Sequence, residues 1–258
     1  MKEGRQTGII REKTQLSEDV FSLWIEAEAA AAASRPGQFF MVYSRDRSRM
    51  LGRPISLCET DRETGAVRLV FRRVGAGTKE FAGLSAGDEI DLMGPLGNGY
   101  PLEPADREGV TLLMGGGIGI PPLVQLAKEL PGGKSILLGY RDAHTFLTDE
   151  FSRCGEIRIA TEDGAAGTKG NVMDLIRPDE AIARIFACGP APMLKAVQKY
   201  ALEHGIPAWL SLEERMACGV GACLACTCKT PEIDEHSHVH NKRVCKDGPV
   251  FAAEEVCL

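Results

Sequence analysis

Five cysteines lie close together near the end of this chain of 258 residues, among nine in total. Four of them follow a C-x4-C-x2-C spacing with a later partner, and these are Cys218, Cys223, Cys226 and Cys245. This is the spacing of plant-type [2Fe–2S] sites, where four thiolates hold two irons and a tight loop turns backbone N–H groups toward the sulfurs. Gly219 and Gly221 allow such a loop because they have no Cβ. We predict that the four cysteines bind a [2Fe–2S] cluster.

Other uses of these cysteines remain as alternatives. A structural zinc site takes Cys and His ligands, and His236, His238 and His240 lie between the third and fourth cysteine. We interpret these histidines as part of a solvated loop, with partner contact or adventitious metal binding as lesser options. Cys228 is interpreted as a packed thiol or a substitute ligand. Structural thiols are the remaining alternative, and nothing argues for the oxidising compartment that a disulfide framework needs.

The composition is that of an ordinary protein with real cores, since 44% of the residues are hydrophobic and 26% are charged. The length suggests one or two domains with a small appendage. A net charge of -6 and the lack of a basic run argue against a nucleic-acid surface. The first residues lack the apolar run of a signal peptide, and no stretch is apolar enough to span a membrane. The odd number of cysteines fits metal ligation in a reducing cytoplasm, where we expect the protein.

Three segments differ in pattern. Residues 1–102 read as short strands punctuated by Gly and Pro, which predicts a small antiparallel β-barrel. The alanine-rich stretch 27–33 is interpreted as a permissive loop between strands, with a helical turn as the alternative. Residues 103–212 alternate apolar strands with helices, which predicts a doubly wound α/β domain with a parallel sheet. Residues 213–258 are too few to bury a core alone, so we expect the cluster to stabilise them. The predicted strands are 8–11, 20–27, 39–43, 55–59, 66–74, 89–93, 110–114, 135–140, 156–161, 184–188 and 208–212, and the predicted helices are 121–130 and 192–204.

Two strings in the barrel segment could bind phosphate. In the string Arg53-Pro54-Ile55-Ser56, a strand offers a guanidinium that can pair with phosphate and a hydroxyl. The string from Val70 through Phe71 and Arg72 to Gly77 and Thr78 ends in a glycine-bracketed turn, which offers N–H groups and a second hydroxyl. Without further context, both strings are weak signals, because basic strands and glycine turns usually just solvate a barrel.

A third string could bind a dinucleotide. Gly115, Gly117 and Gly119 follow an apolar strand and precede a helix, where a diphosphate can lie on the helix N-terminus. The string departs from the G-x-G-x-x-G fingerprint because Pro122 stands at its last position, so a plain tight turn remains an alternative. Farther along, Cys188 opens a Cys-Gly-Pro turn and is either a site residue or a small buried residue.

The order of these motifs resembles the ferredoxin–NADP reductase superfamily, which implies a flavin-binding barrel followed by a pyridine-nucleotide domain. By this resemblance, Arg53 contacts the FAD diphosphate and Ser56 lies near the isoalloxazine ring. The nicotinamide stacks on the flavin beside Cys188. The resemblance also assigns the rest of the flavin site, which consists of Pro54, Ile55, Val70, Phe71, Arg72, Gly77 and Thr78.

Residues 211–223, 244–251 and 94–99 narrow the resemblance to the electron-transfer subunits of class 1B dihydroorotate dehydrogenases. That family implies FAD, one [2Fe–2S] cluster and NAD(H) as substrate, in de novo pyrimidine (UMP) biosynthesis. It also implies a separate FMN-containing catalytic subunit, in a heterotetramer with two copies of each chain. Electrons would pass from that FMN through the cluster and FAD to NAD+, and this chain alone would be an NADH-oxidising diaphorase.

Some questions stay open at this stage. Arg141 and Asp142 follow a predicted strand, where an acid favours NAD and an arginine favours NADP, so these residues do not decide between the two. A related module with the same cofactors is the alternative function, namely the small subunit of a sulfide dehydrogenase or of an NADH-dependent ferredoxin:NADP oxidoreductase. A non-catalytic redox sensor or zinc-stapled binding module is the third hypothesis, and it predicts a colourless protein.

Overall fold

A computed structural model of the chain describes residues 4–46, 48–233 and 238–258. His236 lies outside the described residues. None of the helices in the described ranges is both long and apolar enough to cross a membrane. The α-helices found there are α1 (Glu28–Ala33), α2 (Ala76–Gly83), α3 (Pro122–Glu129) and α4 (Ala191–Glu203). Short 3-10 helices cover Gly117–Gly119, Thr148–Phe151, Val172–Leu175 and Ala253–Glu255.

The first part of the chain folds as a closed barrel, as predicted. Its strands are β1 (Gln6–Gln15), β2 (Val20–Glu26), β3 (Phe39–Tyr43), β4 (Arg53–Asp61), β5 (Ala66–Arg72) and β6 (Glu89–Leu96). They follow the order β1-β2-β5-β4-β3-β6 around the barrel, and every neighbouring pair is antiparallel. Leu23, Ile25, Phe40 and Leu92 fill the interior and are at most 1% exposed. Burial of side chains this large contributes about 1.5–3 kcal/mol each and holds the strands together.

The alanine-rich stretch is not a loop, so that interpretation was wrong. Glu28–Ala33 forms α1, whose Ala30 and Ala31 are buried with the barrel core. Alanine has the highest intrinsic helix propensity, and its small side chain lets a short helix pack closely against a barrel strand. The pattern was misread because six residues are too few to show a helical period.

The second part of the chain contributes six strands to a seven-stranded sheet, and the C-terminal part contributes the seventh. The strands are β7 (Val110–Gly116), β8 (Lys134–Tyr140), β9 (Glu156–Thr161), β10 (Thr168–Lys169), β11 (Ile182–Cys188), β12 (Ala208–Ser211) and, from the C-terminal part, β15 (Val250–Ala252). Their order in the sheet is β10-β9-β8-β7-β11-β12-β15. All neighbours are parallel except β12 and β15. Leu113 of β7 packs with Leu123 of α3, while the preceding Leu112 packs with Leu194 of α4. Successive strand residues point to opposite faces, so the helices cover both faces and the predicted doubly wound arrangement is confirmed.

The C-terminal part joins both of the others. A hairpin of β13 (Thr227–Lys229) and β14 (Asn241–Arg243) precedes β15, which pairs with β12 at the edge of the sheet. Asn98, which follows the barrel, binds Val250 through both its amide oxygen and its amide nitrogen, at 3.0 and 2.8 Å. The segment that carries the cluster motif is therefore fixed to the barrel and to the sheet.

Ion pairs join the barrel to the nucleotide-binding sheet. Arg68 of β5 is buried and lies 2.7 Å from Glu150, which follows β8, and 3.5 Å from Glu59 of β4. Lys128 of α3 contacts the same two carboxylates, Glu150 at 3.2 Å and Glu59 at 2.6 Å. Partial burial raises the pKa of Glu150, but the hydrogen bond and charge of Arg68 and then those of Lys128 outweigh this effect, so the pKa lies below its usual range.

We expect Glu150→Gln to lower the free energy of unfolding by about 1–2 kcal/mol at pH 7, because it leaves Arg68 without its nearest carboxylate. The depressed pKa of Glu150 means that its contribution is present above the unfolded pKa of about 4.3 and is lost as the pH falls through the folded pKa. Urea unfolding at pH 7 and at pH 4 and below measures both effects. Glu203→Gln, which removes an exposed partner of Lys199, is the control and should change stability by less than about 0.5 kcal/mol. If Glu150→Gln lowers the free energy of unfolding equally in acid, the stabilisation by Glu150 is not ionic.

Candidate functional site

A cleft of about 610 Å³ opens where the barrel, the sheet and the C-terminal part meet. This volume is typical of sites for small molecules and cofactors. The 3-10 helix after β7 contributes Ile118, and the C-terminal part contributes residues 212–216 and Pro249. Eight of the nine residues predicted to bind the flavin line the cleft, and they are Arg53, Pro54, Ile55, Ser56, Val70, Phe71, Arg72 and Thr78.

The ninth residue, Gly77, supports Arg53. A Cβ built on Gly77 would lie 2.9 Å from Arg53 Nε, so the missing side chain leaves room for the guanidinium at the cleft wall. Arg53 Nη1 also donates a hydrogen bond to the carbonyl oxygen of Leu51. These contacts fix an arginine beside the first turn of α2, a combination that suits a diphosphate.

We expect Gly77→Ala to weaken FAD binding at least tenfold, because the new methyl group displaces a guanidinium whose charge-assisted hydrogen bonds are worth about 1.5–3 kcal/mol. The apoprotein should remain as stable as before, since alanine favours the helix by up to about 1 kcal/mol over glycine. Fluorescence titration of apoprotein with FAD measures the affinity. Gly83→Ala is a matched control in the same helix, because a Cβ there meets nothing within 4 Å. Equal FAD affinity in both variants would contradict the role of Gly77.

Thr78 lines the cleft, but its hydroxyl serves its own turn. Thr78 Oγ1 accepts hydrogen bonds from the N–H groups of Val74 and Gly75, both at 3.0 Å, and donates one to the carbonyl oxygen of Gly75 at 3.1 Å. The side chain thus fixes the start of α2. Backbone N–H groups of this helix start, and not the hydroxyl, are the donors available to a phosphate.

Arg72 has spare hydrogen-bonding capacity. Its Nε is buried, lies 3.5 Å from Asp19 Oδ2, and has no hydrogen-bond partner among the described residues. A buried N–H without an acceptor is costly, so a bound group that supplies an acceptor would be favoured beside this residue. The cleft residues therefore fit a flavin with a phosphate chain.

The predicted nucleotide-binding residues meet at the carboxyl edge of the sheet, where ligands bind in doubly wound folds. Parallel pairing of β7 with β11 sets Gly115 opposite Cys188. A Cβ on Gly119 would lie 2.3 Å from the carbonyl oxygen of Cys188, so the two turns touch through their backbones. Gly117 has a φ of 54°, a conformation that favours glycine. The structure thus brings these predicted residues together, and Ile118, between Gly117 and Gly119, lines the cleft.

Cys188 is fully buried, and burial followed by the charge of Glu213 raises the pKa of its thiol far above the usual range, despite a hydrogen bond with Ser211. The thiol stays neutral and unreactive. Glu213 itself faces the cleft, yet surrounding protein atoms desolvate its carboxyl and raise its pKa. Sequence reasoning missed Glu213 as a cleft residue.

The four predicted cluster cysteines form two pairs. The thiols of Cys218 and Cys223 contact each other near the surface, whereas those of Cys226 and Cys245 contact each other in the interior, where both residues are 2% exposed. Their sulfurs accept backbone hydrogen bonds, from Val220 and Ala222 to Cys218 at 3.4 and 3.3 Å, from Gly221 to Cys245 at 3.1 Å and from Cys245 to Cys226 at 3.4 Å. Four soft ligands, of which Cys218, Cys226 and Cys245 receive N–H groups, fit an iron–sulfur cluster.

Local contacts give the Cys218 and Cys245 thiols different pKa values. Burial raises the pKa of Cys218, but N–H groups of Val220, Cys223 and Ala222 together with the Cys223 thiol outweigh it and lower the pKa to about 6. Burial and the adjoining Cys226 thiol raise the pKa of Cys245 to about 12. Within the described ranges, no three His, Cys, Asp or Glu side chains are arranged to hold a single metal ion.

Two family models match the chain. One, described as the oxidoreductase FAD-binding domain, matches residues 7–100, and the other, described as the iron-sulfur cluster binding domain of dihydroorotate dehydrogenase B, matches residues 213–257. The chain is 42% identical to the "Dihydroorotate dehydrogenase B (NAD(+)), electron transfer subunit" of Fusobacterium nucleatum over 96% of each chain. It is 41% identical to the protein of the same name from Geobacillus kaustophilus over 99% of each chain. The chain belongs to this family of electron transfer subunits.

A solved structure has the same overall arrangement as this member of the electron transfer subunit family. Its title reads "Insights into flavin-based electron bifurcation via the NADH-dependent reduced ferredoxin-NADP oxidoreductase structure". The similarity covers 98% of this chain and 91% of that chain, at 33% identity and a TM-score of 0.85. The protein is therefore a flavin oxidoreductase with an FAD-binding domain and an iron–sulfur domain.

The cleft of this electron transfer subunit includes residues that the motifs did not reveal. Residues 212–216 line the cleft and lead directly to Cys218, while Pro249 lines it four residues after Cys245. Both ends of the segment that contains the predicted cluster ligands thus reach this cleft. Their closeness in sequence to the predicted ligands is the signal that could have identified them.

Proposed function

We propose that this chain is the electron transfer subunit of an NAD+-reducing dihydroorotate dehydrogenase, in which a separate subunit oxidises dihydroorotate. The observation that supports this most strongly is the identity of 41–42% to family members along nearly the whole chain. The proposal places the protein in de novo pyrimidine biosynthesis. When bound, FAD exchanges both hydrides and single electrons, and a [2Fe–2S] cluster exchanges single electrons.

The barrel residues have the task of holding and shielding the flavin. Arg53, held against Gly77, pairs with the diphosphate, and the N–H groups at the start of α2 add donors. Phe39, Val70 and Phe71 line the cleft and exclude water from the ring.

The carboxyl edge of the sheet has the task of binding NAD(H). The close contact between Gly119 and Cys188 shapes a turn that a dinucleotide can approach without meeting a Cβ. Cys188 contributes volume and a neutral thiol there, and no proton transfer is needed for hydride exchange between stacked rings.

The cluster site belongs to the C-terminal part, with Cys218, Cys223, Cys226 and Cys245 as the ligands and the loop N–H groups as donors to their sulfurs. Its outer pair is more exposed than its inner pair, and the inner pair lies on the side of the protein core. We place the partner subunit on the outer side and the flavin cleft on the inner side.

The family names imply a catalytic partner. The finer proposal is an FMN-containing catalytic subunit in a heterotetramer with two copies of each chain, located in the cytoplasm. All nine cysteines are free thiols, which supports a reducing compartment.

A second candidate is the small subunit of an NADH-dependent ferredoxin:NADP oxidoreductase, favoured by the similarity to the solved structure at 33% identity. The lower identity ranks it below the first. The two functions differ in the partner that this chain binds and in the substrate that the complex oxidises.

A pull-down of the tagged chain from its own cells, followed by an assay of the bound fraction, tests the proposal. We expect dihydroorotate-dependent reduction of NAD+ that disappears when the chain is removed, and the chain alone should oxidise NADH with an artificial acceptor. A yellow-brown fraction that oxidises NADH but lacks dihydroorotate activity would contradict the proposal, and a large flavin and [4Fe–4S] partner would establish the second candidate.

A further inference from the structure

The loop between the first two cluster cysteines is covered by a lysine side chain. A Cβ built on Gly221 would lie 2.6 Å from Lys246 Cδ and 2.9 Å from its Cβ, so the aliphatic stem of Lys246 crosses directly over this glycine. Gly221 is part of the sulfur environment, because its N–H donates to Cys245 Sγ at 3.1 Å. Lys246 directly follows Cys245 in the chain, and its ammonium group is two bonds beyond Cδ. A positive charge therefore lies beside the loop between Cys218 and Cys223.

A second cation reaches the same loop, but its charge is balanced. Arg243 Nη1 lies 3.4 Å from the carbonyl oxygen of Gly221, and its Nε and Nη2 bind both carboxylate oxygens of Asp247 at 2.9 and 3.0 Å. Lys246 is exposed and forms no ion pair with a carboxylate among the described residues. Of these two cations, Lys246 therefore contributes the uncompensated charge.

We propose that Lys246 raises the reduction potential of the cluster held by Cys218, Cys223, Cys226 and Cys245, and so favours transfer of an electron onto it. This inference rests on the proposed function. One-electron reduction adds a negative charge to an already anionic cluster, and a fixed positive charge nearby stabilises the reduced form more than the oxidised form. In the proposed function, electrons would come one at a time from the flavin of the partner subunit and pass on to FAD. No bond is made or broken in this chain.

The test compares Lys246→Met, which keeps the stem and removes the charge, with Lys246→Arg, which keeps the charge. An EPR-monitored redox titration of the full chain with FAD bound gives the midpoint potential. We expect Lys246→Met to lower the equilibrium constant for cluster reduction about fivefold, which is about 40 mV at 59 mV per tenfold change. Lys246→Arg should stay within about twofold of the wild type. In 1 M salt, where the Debye length is about 3 Å, the difference should shrink.

Lys199→Met is the matched control, because Lys199 is an exposed lysine of α4 and its loss changes the net charge equally. It should leave the potential unchanged. Equal potentials for Lys246→Met and the wild type would overturn the inference, and equal shifts in the Met and Arg variants would assign Lys246 a packing role only. A wild-type protein with no [2Fe–2S] signal would overturn the cluster assignment itself, an outcome distinct from a normal signal with an unaltered potential.

Discussion

Serine in place of Cys226 is expected to abolish the visible absorbance and EPR signal of the cluster and to reduce bound iron from about two atoms per chain to nearly none. Cys226 is 2% exposed, and its sulfur accepts the N–H group of Cys245, so it occupies the inner side of the thiol group. A serine hydroxyl is a harder and much less acidic ligand than a thiol, so it replaces a thiolate poorly at an iron–sulfur cluster. The C-terminal part, which has little core of its own, should then lose order and bind the partner poorly.

The control for this change lies two residues farther along the chain. Cys228 points to the carbonyl oxygen of Lys242 at 3.5 Å across the β13–β14 hairpin, and burial raises the pKa of its thiol to about 11. Cys228→Ser should therefore keep iron content and spectra near those of the wild type. Iron analysis and EPR of the two anaerobically purified variants separate the roles. Loss of the cluster from Cys228→Ser, or its retention in Cys226→Ser, would show that the ligand set is wrong.

The local parts of the site were accessible from the sequence because they depend on neighbouring residues. Gly219 and Gly221 adopt φ angles of 74° and 83°, which explains why two glycines lie between Cys218 and Cys223 in this loop. Likewise, strand periodicity and turn residues sufficed to predict the barrel, and Arg53 through Ser56, which are consecutive residues at the start of β4, all line one cleft.

The parts that the sequence did not reveal depend on contacts between distant segments. Val250–Ala252 was assigned no strand, yet it completes the sheet by pairing with β12. Three residues are too few for a periodic pattern. Their position also depends on Asn98, which is distant in sequence and binds Val250. Glu213 was overlooked for a similar reason, because its surroundings form only when the barrel, the sheet and the C-terminal part close around the cleft.

Alanine in place of Gly119 is expected to raise the KM for NADH at least tenfold while FAD and cluster spectra persist. A Cβ at this position would lie 2.3 Å from the carbonyl oxygen of Cys188, 2.4 Å from its carbonyl carbon and 2.5 Å from the nitrogen of Gly189. All three are backbone atoms between two packed turns, so the overlap can be relieved only by separating the turns, at a cost of about 1–3 kcal/mol or more. The separation moves the N–H groups that would receive the dinucleotide, whereas the flavin cleft and the thiol loop keep their own contacts.

Gly139→Ala is the matched control for the backbone contact of Gly119. Gly139 lies on β8, next to the strand that leads to Gly119, but the nearest atom to its added Cβ is Val172 Cβ at 3.5 Å, an ordinary contact distance. Both variants add one methyl group near the carboxyl edge of the sheet, but only Gly119→Ala produces a backbone overlap. We therefore expect the KM of Gly139→Ala to stay within about twofold of the wild type in a diaphorase assay. An unchanged KM in Gly119→Ala would mean that the dinucleotide binds elsewhere on this edge, because a turn displaced in this way cannot bind NADH as before.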